Sequence, residues 1–123
     1  MRQHLDMRQR NNLITGNELA AELPASSPER RAFVVVGAYR DVGRPGGARV
    51  SKYLNADQSD VRFWLRKHEI DKVFIEHGWW PGENDLLDSV LTTGISSIET
   101  LEAELAHYLD DFTRLGSTHD NPV

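Results

Sequence analysis

Glu76, His77, Glu83, Asp85 and Asp88 put four carboxylates and an imidazole into one short stretch. Oxygens and a ring nitrogen at that density are the raw material for holding a divalent cation or for moving protons between acid and base. The spacing, however, follows no ligand signature. On a strand the neighbours Glu76 and His77 point to opposite faces, and Asp85 stands where a helix cap is wanted, just ahead of an apolar pair. The expectation is therefore caps and solvated acids, with no metal and no cofactor. A second chemistry is a hydroxyl beside a cation, Ser51 with Arg49. A third needs no reaction at all. Trp79 and Trp80 are adjacent in the Gly- and Pro-punctuated stretch from His77 to Asp85, and tryptophan supplies the large rigid area typical of binding hot spots.

Gly43, Gly46 and Gly47 surround Pro45 without the Gly-Lys-Ser or Gly-Lys-Thr ending of a nucleotide loop, so a turn accounts for them. Ala48-Arg49-Val50-Ser51, with Gln58 further on, resembles the catalytic serine stretch of serine recombinases over about a third of the chain. That resemblance would make Ser51 the nucleophile, but the downstream arginine cluster of that family has no counterpart here. Gly82-Glu83-Asn84 followed by Leu86, Leu87, Asp88, Leu91 and Gly94 resembles the inhibitory loop and helix of barstar-type ribonuclease inhibitors over about a dozen residues. Neither stretch is long enough to place the chain in a family.

Charge divides the chain. Residues 1–72 carry thirteen Lys and Arg against nine Asp and Glu, whereas residues 73–113 carry nine acids and no Lys or Arg. A segment of that kind makes a negative field that attracts basic partners and repels nucleic acid. There is no cysteine, which removes disulfides, thiolate metal sites and thiol nucleophiles together. The opening residues have no secretory apolar core, and no apolar run reaches membrane-spanning length, so a cytoplasmic setting is expected.

The elements that would position these residues follow from periodicity. Residues 1–30 read as a loose arm, with a short helical piece from Asn17 to Leu23 and a Pro- and Ser-rich linker behind it. Arg31 to Arg40 reads as a central strand, and Ala48 to Leu54 as its hairpin partner. Val61, Trp64 and Leu65 suggest a helix capped by Asn55 or Ser59; Asp71 to Glu76 reads as a second buried strand and Leu86 to Leu91 as a short helix. Ile98, Leu101, Leu105, Tyr108, Leu109 and Phe112 recur at steps of three and four, giving one long helix from Ser96, with Glu99 as capping-box partner, to a stop at Gly116.

The expected protein is a small α+β domain over residues 31–116. Its two- to four-stranded sheet is packed by a long C-terminal helix and two shorter ones, and residues 117–123 form a polar tail. The expected function is partner binding without catalysis, in the concrete form of an immunity-type antagonist of a basic toxin or nuclease. Its partner-binding residues would be Trp79, Trp80, Glu83, Asp85, Asp88, Glu99, Glu102 and Asp110. The alternatives are a self-associating assembly subunit, a homodimer for instance, and an enzyme using Arg49 and Ser51 or the Glu76, His77 and Asp85 cluster.

Overall fold

Two eleven-residue strands form the centre of the molecule, β2 (Arg30–Arg40) and β4 (Val61–Asp71), paired antiparallel along their whole length from Arg30 opposite Asp71 to Arg40 opposite Val61. The computed structural model describes residues 3–40, 48–49, 61–79, 82 and 85–117. Around this pair lie α1 (Met7–Ile14), β1 (Leu19–Leu23), β3 (Ala48–Arg49), α2 (Lys72–Glu76), β5 (Leu87–Ile95), α3 (Ile98–Leu105), a 3-10 turn (Phe112–Arg114) and β6 (Gly116–Ser117). The sheet runs β5-β4-β2-β1-β6, entirely antiparallel, and β3 pairs with the far end of β2. The α+β class stands. The expected two- to four-stranded sheet under a long C-terminal helix does not: five strands line up in the main sheet and the last helix has eight residues.

Each departure has a physical cause. Leu19-Ala20-Ala21-Glu22-Leu23 is made of strong helix formers, yet it is the strand between β2 and β6, because helix propensity is a weak prior that a completed strand ladder overrides. Residues 1–30 are thus no loose arm: Leu5, Leu13, Leu19, Ala21 and Leu23 are all buried in the core. Val61, Phe63 and Leu65 alternate with Arg62, Trp64 and Arg66, a period of two that makes β4 a strand where adjacent Trp64 and Leu65 suggested a helix face. Beyond it Asp71 accepts a hydrogen bond from the Val73 amide at 3.2 Å, so the expected strand at 71–76 is the short helix α2. Leu87 to Ile95 is rich in Val, Leu and Thr and forms an edge strand rather than a short helix.

The C-terminal apolar pattern keeps its spacing but changes its backbone. Ser97, not Ser96, caps α3, its hydroxyl accepting from the Thr100 amide at 3.1 Å. The helix stops at Leu105, and Asp111 then caps the 3-10 turn by accepting from the Thr113 amide and hydroxyl at 3.1 and 2.8 Å. Aspartate prefers such local bonds, so Asp111 opens a separate turn where one continuous helix was expected. Leu101, Leu105, Leu109, Phe112 and Leu115 nevertheless remain buried.

The two sheet faces differ. One carries Ala32, Val34 and Val36 of β2 with Val61, Phe63 and Leu65 of β4, and packs against α1, α3 and the C-terminal turn to make the apolar core. The other carries Arg31, Phe33, Val35, Gly37 and Tyr39 opposite Ile70, His68, Arg66, Trp64 and Arg62. This face is also closed in the middle: Phe33, Val35, His68 and Ile70 are at most 1% exposed. Trp64 lies flat on Gly37, where an added Cβ would come within 2.6 Å of its ring.

Candidate interaction surface

The sequence-predicted binding residues separate into three groups. Trp80 and Glu83 lie outside the described residues, as do Ser51 and the turn at 41–47. Trp79, Asp88, Glu99 and Asp110 are exposed. Asp85 and Glu102 are committed elsewhere. Asp85 is half-buried and accepts a hydrogen bond from the Gly82 amide at 2.8 Å. Glu102, expected on the wet face of the last helix, is 7% exposed and turned towards the N-terminal segment. There it accepts from the Leu5 amide at 2.6 Å, with His4 Nδ1 at 3.5 Å and Arg10 Nη2 at 3.9 Å.

The described acids therefore do not converge on one site. Asp88 pairs with Arg30 at 3.2 Å, and Asp110 lies 3.8 Å from Arg114, one helical turn away in sequence. Among the described residues no group of three His, Cys, Asp or Glu is placed to hold a metal ion. Glu76 and His77 end α2, and His77 spends its ring on a stacking contact.

That contact is what the structure does assemble. His77 and Trp79 stack at 4.4 Å between ring centroids, 16° from parallel, and Phe74 meets the Trp79 ring edge-on at 6.1 Å. The Trp79 amide donates to the Phe74 carbonyl at 2.8 Å and so closes the turn after α2. Trp79 is thus held in place while 57% exposed. Along the sheet edge, β5 exposes Val90 (48%) and Leu91 (60%). Two irregularities, between the pairs Phe63/Leu65 and Lys67/Glu69 of β4, interrupt its pairing. Asp88 and Gly94 take positive φ of 49° and 71° nearby. Bulges of this kind blunt a sheet edge against further strands, so β5 offers side chains more than backbone.

Two groups of charged residues escaped the sequence reading. On the core side, Glu69 is 3% exposed and accepts from the Ser26 hydroxyl at 2.7 Å and amide at 3.3 Å, with Lys67 Nζ at 3.4 Å and Arg30 at 3.9 Å. The Ser26 hydroxyl, more than the nearby cations, holds this carboxyl below its ordinary value against the opposing effect of burial. On the other face Arg31 grips Glu22 with two nitrogens, at 2.8 and 2.6 Å, lowering the carboxyl and raising the guanidinium. Arg31 also sits 5.4 Å over the Phe33 ring, whose far neighbour is His68 at 6.0 Å.

His68 is fully buried, and neither ring nitrogen finds a hydrogen-bond partner among the described residues; nor does the buried Nε of Arg66. Burial first, then the cations of Arg66 and Lys67, push the imidazole down to about 4, so it is neutral at pH 7. An orphaned buried polar group costs about 1–3 kcal/mol. The signal was present in the sequence as Arg62-x-Trp64-x-Arg66-x-His68, a period-two row legible only once residues 61–71 are known to be a strand.

Among the described residues no helix is long and apolar enough to cross a membrane. Compared with protein-family models, with curated proteins and with solved structures, the chain matches none of them.

Proposed function

We propose that the protein works by binding a basic protein partner, as an immunity-type antagonist acting in the cytoplasm, through the Trp79 turn and the exposed side chains of β5. The observation that carries this reading is the fixed, exposed ring of Trp79. An indole left in water gives up favourable burial, and one stacked on His77 has already lost the freedom that docking would otherwise cost. Such pre-organised aromatic area is what an interface hot spot requires. The segment around it, residues 73–113, holds no Lys or Arg, which selects a cationic partner and speeds its approach.

The test is quantitative affinity capture with the wild-type chain and with Trp79→Ala. A basic protein retained by wild type and weakened about thirtyfold or more, roughly 2 kcal/mol, by the variant supports the proposal. Equal retention by a folded Trp79→Ala chain would overturn it. Exposure of Val90 and Leu91 on an edge strand favours a second reading, self-association, and sedimentation across a concentration series separates the two.

A further inference from the structure

We propose that Arg66 and His68 form a binding site for a small oxyanion, a phosphate or carboxylate group, on the sheet face opposite the apolar core. The proposal does not rest on the binding role of Trp79. It rests on what two neighbouring side chains leave undone. Arg66 and His68 stand two residues apart on β4, whose pairing with β2 is regular throughout, so both point to the same face about 7 Å apart at the backbone. The ring contact between His68 and Phe33 confirms that face. Neither His68 nitrogen nor Arg66 Nε has a hydrogen-bond partner among the described residues, and His68 is entirely buried. Buried donors are satisfied in nearly all native structures, so orphans call for an occupant such as an ion.

The electrostatics select the sign of that occupant. Arg66 makes no ion pair among the described residues, and across from it on β2 stands Val35. Among the described residues, Glu22 of β1 is an acid on this face, and it is held by both ends of the Arg31 fork. Arg62, further along β4, turns one nitrogen to the Val61 carbonyl. Lys67, next in sequence, points to the core side and to Glu69. Among the described residues Arg66 therefore has no carboxylate partner, and it stands beside a neutral imidazole with an N–H to donate. An oxyanion would receive one charge-assisted bond from Arg66 and one bond from His68. His68 is closed off, whereas Arg66 as a whole is only half-buried.

Inorganic phosphate and sodium acetate are titrated separately into the full-length chain at pH 7 and constant ionic strength, with sodium chloride as reference. The melting temperature and the His68 ring resonances are followed. At least one oxyanion is expected to raise the melting temperature saturably beyond chloride. It should also shift the His68 titration upward by about one unit, a tenfold change in proton affinity, because a nearby anion favours the imidazolium. Saturation by phosphate alone assigns a tetrahedral dianion; saturation by acetate as well assigns a carboxylate-sized site. Arg66→Lys keeps the charge but loses the fixed Nε–H, and binding should weaken about tenfold. No saturable response over chloride, an unmoved His68 titration, or unchanged affinity in Arg66→Lys would each overturn the proposal. Should Arg66→Lys fold poorly, the two wild-type readouts decide alone.

Discussion

His68 carries the clearest pH signature. Its imidazole falls from an ordinary 6.5 to about 4 in the fold, so between those values the unfolded chain binds a proton that the folded chain refuses. This contribution is fully present above pH 6.5 and is lost as pH falls towards 4, by up to about 1.4 kcal/mol per unit. Glu69 behaves differently: its lowered carboxyl stabilises the fold above its ordinary 4.5, and that is lost only below 4.5. Denaturant unfolding of His68→Leu in phosphate-free buffer separates them. Removing two orphaned nitrogens at similar volume should leave stability at pH 7 equal or higher and flatten the slope between pH 6.5 and 4.5. An undiminished slope would assign it to other groups. A further residue-scale test is Gly37→Ala, which drives a methyl into the Trp64 ring and should cost about 1–3 kcal/mol in thermal unfolding.

At the scale of elements, what could be read depended on whether a local signal and the final pairing agreed. Val34 to Val36 are β-branched, apolar and doubly buried, so β2 was legible to within one residue of its start. The stripe from Leu101 to Phe112 was legible as buried spacing but not as backbone, because an α-helix brings residues three and four apart to one face and a 3-10 turn also brings residues three apart together. β1 was illegible, since Ala20, Ala21 and Glu22 favour helix locally and only β2 and β6 make them a strand. Deleting residues 1–23 should therefore abolish cooperative melting by circular dichroism, as it removes a central strand and the core residues Leu5 and Leu13; a truncated chain that still melts cooperatively would restore the loose arm. The cap at Asp111 predicts a milder effect, about 1 kcal/mol for Asp111→Ala by the same melt.

The whole molecule sets its charge asymmetry onto its sheet. The basic N-terminal portion supplies Arg31, Arg62 and Arg66 to the second face, while the acid-only portion supplies β5 and the Trp79 turn. Trp79 stood out in the sequence as a binding candidate of this acidic portion, but its exposure was not legible there. Nor was the scatter of the acids legible: Glu102 is drawn inward by the Leu5 amide, while Asp88 stays exposed and pairs with Arg30, in a fold closed from residues far apart in sequence. The measurement that bears most directly on the binding role is oxidative footprinting of the chain, alone and in its captured complex. The account predicts that Trp79 and Leu91 lose reactivity in the complex while Met7, 78% exposed on α1, keeps its own. Protection of Met7 with Trp79 still reactive would contradict it and move the interface to α1.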